Sequence, residues 1–298
     1  MDITLKTSDD IDSIKWNKCI NDSFNASVCA YSWYLSAVCK KWVALIKDNY
    51  EIVMPITLEN DVVTTPYLTP WLGVFSKDLL SADELNSFFI KLKSIYNIRS
   101  LKLNKFNIPD NSVINFSKYQ VFQYDMIIAH ETRQLLYSNN IKDMLNTCDK
   151  EKLSVKPTDK HNDFCKQIIE YFGYNEPHSI IQIFTIWTHD SHDTLMLQLK
   201  NDKNEIVGGA LVLGTGTSLY IPYLWYKRKY NRDYAHLKLL DGILEYYQQR
   251  NLTLYVFTNQ YVPIENYILT ETNAQEFEYY GYEKEPSIKN KLLNLLKM

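Results

Sequence analysis

The densest run of cationic side chains is the stretch KRKYNRDYAH, with Lys227, Arg228, Lys229 and Arg232 around Asn231. It precedes an apolar, helix-patterned segment, and the positive end of a helix dipole favours anions. Arg228, Lys229, Asn231, Arg232 and His236 are therefore candidate ligands for a phosphate or carboxylate group. A solvated loop is the competing reading of the same charges. The preceding segment SLYIPYLW is strand-like. Its alternation places Tyr220 and Leu224 on one face, and Tyr223 and Trp225 on the other. Tyr220, Tyr223 and Trp225 could hold an acceptor by stacking and hydrogen bonding. His236 could serve as a base or a donor, although a lone helical histidine is more often structural.

Other chemistry-bearing patterns resolve into plainer ones. HDSHD (His189, Asp190, His192, Asp193) has metal-ligand donors but reads as a hairpin turn, so no metal is expected. GTGTS lacks the helix that a dinucleotide-binding loop requires. There is no nucleophile elbow, Walker loop or HExxH.

The elements that would position these residues occur twice. In the first half, WVALI and EIVMPITL form a hairpin around KDNY, and the β segment DVVTTPYLTPWLGVF is interrupted by Pro66 and Pro70. A helix follows from Ser81, whose SADE pattern is a capping box with Leu85, Phe88, Phe89, Leu92 and Ile95 as its stripe. IRSLKLN then reads as a strand. The second half repeats the order with TLMLQL, EIVGGALVL, SLYIPYLW, the helix DYAHLKLLDGILEYYQQR, and LTLYVF. The copies align without gaps at an offset of 154 residues, where Asp48, Glu51, Ile52, Val53, Trp71, Leu85 and Asn97 meet identical residues. Repetition of this kind signals duplicated architecture. The alternative is two unrelated α/β domains sharing a common plan. Between the halves, FQYDMIIA reads as a strand, YSNNIKDMLNTCDKEKL as a connector helix starting near Ser138, and HNDFCKQIIEYFG as another helix.

Three stretches resemble the FemAB-like transferases, which carry the acetyltransferase (GNAT) fold twice. They are YSNNIKDMLNTCDKEKLSV, EIVGGALVL and YNRDYAHLKLLDGILEYYQQRNLTLYVF; the opening from YSWYLSAVC through PWLGVFS is also similar. The resemblance implies a mixed α/β chain of two GNAT-like domains, residues 1–130 and 155–298, joined by a connector at 131–154. It further implies transfer of an activated acyl or aminoacyl group to a small-molecule or peptide amine. The donor would be an acyl-CoA or an aminoacyl-tRNA. Tyr137, Asn139 and Lys142 of the connector would join Tyr220, Tyr223 and Trp225 in a cleft between the halves. Two departures keep other readings open. The connector helix adds Asp143, Asp149 and Glu151 to its lysines, and the loop before the later helix has no glycine for close phosphate approach. A non-catalytic ligand-binding protein on a degenerate GNAT fold, and a plain acetyl-CoA-dependent N-acetyltransferase, are the alternatives.

Composition sets the remaining bounds. With 298 residues, two domains are expected. A net charge of −3 confines any RNA contact to a local basic patch. The five cysteines lack CxxC spacing and read as buried free thiols in a reducing cytoplasm. MDITLKTSDD is not a signal peptide, and no apolar run reaches membrane-spanning length, so a cytoplasmic protein without membrane contact is expected.

Overall fold

The computed structural model describes residues 2–66, 68–172, 194–230, 234–259 and 262–284. The first half runs β1 (Thr4–Thr7), α1 (Ser13–Asp22), α2 (Ser32–Val38), β2 (Trp42–Lys47), β3 (Ile52–Glu59), β4 (Val62–Val63), β5 (Phe75–Ser76), α3 (Ala82–Ile95), β6 (Asn97–Ile98) and β7 (Ser100–Lys102). Then come β8 (Ser117–Asp125), α4 (His130–Leu136) and α5 (Asn139–Lys150). The second half runs β9 (Ser154–Pro157), α6 (His161–Phe172), β10 (Leu195–Lys200), β11 (Ile206–Thr215), β12 (Ser218–Tyr226), α7 (Ala235–Tyr247), β13 (Thr253–Val256), α8 (Asn266–Glu271) and β14 (Gln275–Glu283).

The two halves share one topology. The strand order β1-β2-β3-β4-β6 of the first recurs as β9-β10-β11-β12-β13 in the second. In each, three antiparallel pairings are followed by one parallel pairing, β4 with β6 and β12 with β13. A parallel return needs a crossover, which α3 and α7 supply. Helix α3 carries a local start signal. At α3 the Ser81 hydroxyl accepts from the Glu84 amide while Glu84 reaches back to the Ser81 amide, a cap that contributes about 1 kcal/mol. Its Leu85, Phe88, Phe89 and Leu92 stripe is buried, as expected.

The final strand of each half crosses to the other. Strand β14 pairs with β7 (Gly281↔Lys102), β8 pairs with β13 (Thr253↔Asp125), and β8 and β14 pair with each other (Tyr119↔Tyr279). Residues 117–125 therefore complete a sheet built mainly from strands after residue 154. The strand read from FQYDMIIA lies further upstream than its pattern suggested and stops at Asp125. One apolar core lies under α3, a second under α5, α7 and α8, and a third joins the halves around Trp16, Tyr34, Trp71, Leu211 and Tyr223.

The fourth strand of the first half departs from its counterpart. Between the rungs Leu58↔Val63 and Val53↔Phe75, four residues of β3 face eleven, 64–74, on the returning chain. The surplus loops out, and Pro66 and Pro70, which lack amide donors, fall inside this excursion.

Candidate ligand-binding cleft

The parallel ladder between β12 and β13 ends at Tyr220↔Tyr255, while β12 continues to Tyr226. The cause lies in β12 itself. Between the rungs Leu213↔Tyr220 and Leu211↔Tyr223, two residues, Ile221 and Pro222, oppose the single Val212. Such a bulge bends the strand, and Pro222 has no amide to offer. The two strands part, and cavities of about 640 Å³ and about 730 Å³ open beside the gap; both are lined by Thr258 and Asn259.

The bulge also corrects the face assignment made from alternation. One extra residue reverses the phase, so Tyr220, Tyr223 and Trp225 all join the core between the halves, and Leu224 joins the core under α7.

The first half supplies a wall of the smaller cavity through its excursion, with Pro66, Leu68, Thr69 and Pro70 facing Tyr220, Ile221, Phe257 and Tyr279. The excursion is pinned at Leu68, which has φ 64°. The hydroxyls of Tyr34 and Tyr220 both donate to the Leu68 carbonyl, at 2.7 and 2.9 Å. Burial raises both phenols well above their ordinary pKa, so they remain neutral donors. Burial likewise pushes the neighbouring Cys29 thiol to about 11.

The corresponding gap in the first half is filled. There the parallel register extends to Leu72↔Leu103. Beyond it, the Val74 amide donates to Asn107 Oδ1 at 2.7 Å, and the Val74 carbonyl accepts from Asn107 and Asn25. Asn104 caps the Leu72 carbonyl. All three asparagines are buried. Gly73, at φ +114°, makes room for this plug, because a Cβ there would lie 2.1 Å from Asn107 Oδ1.

Comparisons with solved structures find the same overall fold in other proteins. Over 100% of both chains the fold matches FemX, with TM-score 0.61 at 10% identity. The C-terminal domain of a putative lysylphosphatidylglycerol synthetase from Agrobacterium fabrum matches 96% of this chain and 95% of its own, with TM-score 0.60 at 9% identity. A tandem GNAT protein from the clavulanic acid biosynthesis pathway matches 96% of this chain and 100% of its own, with TM-score 0.52 at 8% identity. The chain carries the tandem GNAT fold. No protein-family model matches it, and no curated protein matches its sequence.

Within this tandem GNAT fold the sequence-selected residues fall in several places. Tyr220 lines the 640 Å³ cavity. Tyr223 is buried in the core between the halves, and Trp225 borders a separate cavity beside Tyr171 of α6, with ring centroids 5.9 Å apart. Tyr137 donates to Asp241 Oδ1 of α7 at 3.0 Å, and His130 Nε2 lies 2.8 Å from the same oxygen. Asn139 begins α5 and is exposed, while Lys142 donates to the Leu135 carbonyl. Arg228 is exposed and lines the 730 Å³ cavity; Lys229 is exposed with its ammonium 4.8 Å from the Tyr230 ring centroid. His236 is buried at the start of α7. Asn231, Arg232 and the HDSHD stretch lie outside the described residues. Among the described residues no cluster of three or more His, Cys, Asp or Glu side chains could hold a metal, and no helix is long and apolar enough to cross a membrane.

Sequence reasoning missed Thr258, Asn259 and Glu265, which follow β13. It noted Pro66 and Pro70 only as interruptions. The two prolines were the available signal that chain leaves the sheet there.

Proposed function

We propose that the chain transfers an activated acyl or aminoacyl group to an amine at the gap between β12 and β13. The observation that carries this reading is the asymmetry of the duplicated gap, open in the second half and plugged by Asn107 in the first. Residues of β12 beyond Tyr220 have no β13 partner on that edge, so their amides can face a developing oxyanion. The donor enters on the Arg228 and Lys229 side, where cations meet its phosphates, and the acceptor enters beside Tyr220. The amine attacks the acyl carbon, a C–N bond forms, and the C–S or C–O bond to the leaving group breaks. Holding the two partners in line supplies most of the rate.

The structural neighbours support the general chemistry: one bears the name lysylphosphatidylglycerol synthetase, and the tandem GNAT protein is described in a state without AcCoA. Acyl-CoA and aminoacyl-tRNA are thus the two donor classes to test. Thermal shift with acetyl-CoA, CoA and aminoacyl-tRNA, followed by product analysis with an amine panel, tests the proposal, because a ligand bound to the native state raises its melting temperature. The glycine-free loop before α7 favours a second reading, a binding protein without turnover; ligand-induced stabilisation with no product would establish it.

A further inference from the structure

Glu265 lines the 730 Å³ cavity together with Thr258 and Asn259, the two residues this space shares with the acceptor side. Its Oε2 lies 3.4 Å from His236 Nε2. The two side chains differ sharply in setting: 53% of the Glu265 side chain is exposed, against 4% for His236. Neither imidazole nitrogen makes a hydrogen bond among the described residues, and the ring lies 5.4 Å from that of Tyr226, another cavity residue. Burial lowers the histidine's pKa, with Glu265 opposing, and the N-terminal end of the thirteen-residue α7 also disfavours a cation. The groups bordering the pair are Tyr226 from β12, Arg228 from the following loop, and Glu170 and Tyr171 from α6.

We infer that Glu265 is the catalytic proton acceptor of this cleft and that His236 is its positioning residue. The inference rests on the transfer reading given above. A neutral imidazole has one N–H; on Nε2, 3.4 Å from the Glu265 carboxylate, it can donate to that carboxylate and hold it toward the cavity once the contact tightens. As the C–N bond forms, the attacking nitrogen becomes cationic. Glu265 removes one proton from it, the bond to the leaving group breaks, and the same proton is returned to the leaving sulfur or oxygen. Substrate and products balance with no further reactant. The 3.4 Å approach is loose for a hydrogen bond, as catalytic contacts often are before substrate binds.

The test uses the full-length protein with hydroxylamine as acceptor, and with acetyl-CoA and total aminoacyl-tRNA as donors. Hydroxamate formation above the uncatalysed background is followed at about pH 7.5, where hydroxylamine is neutral, over a range of acceptor concentrations that separates kcat from KM. Donor affinity is measured separately by calorimetry. Glu265→Gln should lower kcat on the order of 100-fold or more at unchanged donor affinity. Glu265→Asp should recover part of the rate. His236→Gln should produce a smaller loss, confined to kcat, with donor affinity and acceptor KM unchanged. A Glu265→Gln protein that transfers at the wild-type kcat overturns this inference and leaves the transfer reading standing. A wild-type protein that forms no hydroxamate from either donor overturns both.

Discussion

The hydroxyl oxygens of Tyr34, in the first half, and Tyr220, in the second, lie 2.6 Å apart. Both also reach the Leu68 carbonyl, so three short O···O contacts share two protons. Either phenol can donate to the carbonyl while the other donates to it or to its partner. The trio ties α2, the excursion at 64–74 and the last rung between β12 and β13 together, so the wall of one half is fixed to the floor of the other.

Tyr34→Phe and Tyr220→Phe should each destabilise the fold by about 1 kcal/mol, the usual net value of a buried hydrogen bond. The double variant should lose less than the sum, because each hydroxyl serves the other. Denaturant unfolding of the four proteins checks this; strict additivity would show that the hydroxyls act independently.

Asn107→Ala removes the acceptor of the Val74 amide and one donor to its carbonyl, and leaves a buried peptide group short of partners. A loss of about 1–3 kcal/mol is expected. Ligand stoichiometry should remain one per chain, since the first-half gap is not the binding site. Calorimetry returning two equivalent sites in the wild type would contradict the plug.

Gly242 sits in α7 against Val155 of β9, and an added Cβ would lie 2.8 Å from the valine side chain. Gly209 in β11 is enclosed by the Leu197 carbonyl, Phe164 and Trp225, each 2.9 Å from such an atom. Alanine at either site should overpack the core and cost about 1–3 kcal/mol. The helical substitution is the sharper test, because alanine's better helix propensity would otherwise stabilise by about 1 kcal/mol.

His236 carries a pH signature. Its pKa is lower folded than unfolded, so the unfolded chain binds more protons in the window below about 6.5. Its contribution to stability is complete above that pH and is lost as pH falls through the folded value. Melting temperatures of wild type and His236→Gln should therefore converge toward acid. A constant difference between pH 7 and 5 would show that the imidazole does not titrate with unfolding.

The repeat was legible in the sequence because hairpins and amphipathic helices leave local signals. The Ser81 cap, the Phe88–Phe89 stripe and the strand start at Ile52 matching Ile206 all depend on neighbours within a few residues. The cleft was only partly legible. Alternation identified Tyr220 but carried no sign of the extra residue at Ile221–Pro222, which reverses every face after it. The exchange of β8 and β14 is a pairing between residues about 160 apart, and no local pattern specifies such a partner. Glu265 lies beyond β13 in sequence and reaches His236 only through the fold.

The most direct test of the central claim is calorimetric titration of acetyl-CoA and of aminoacyl-tRNA into wild type and into Thr258→Trp. Thr258 borders both cavities, and neither cavity is lined by Asn107 or Val74, so a tryptophan there fills the parted gap and leaves the first-half plug in place. The account predicts one-to-one binding of one donor class to the wild type and its loss in a Thr258→Trp protein of unchanged melting temperature. Binding that persists after the gap is filled, or no binding of either donor by the wild type, would contradict it.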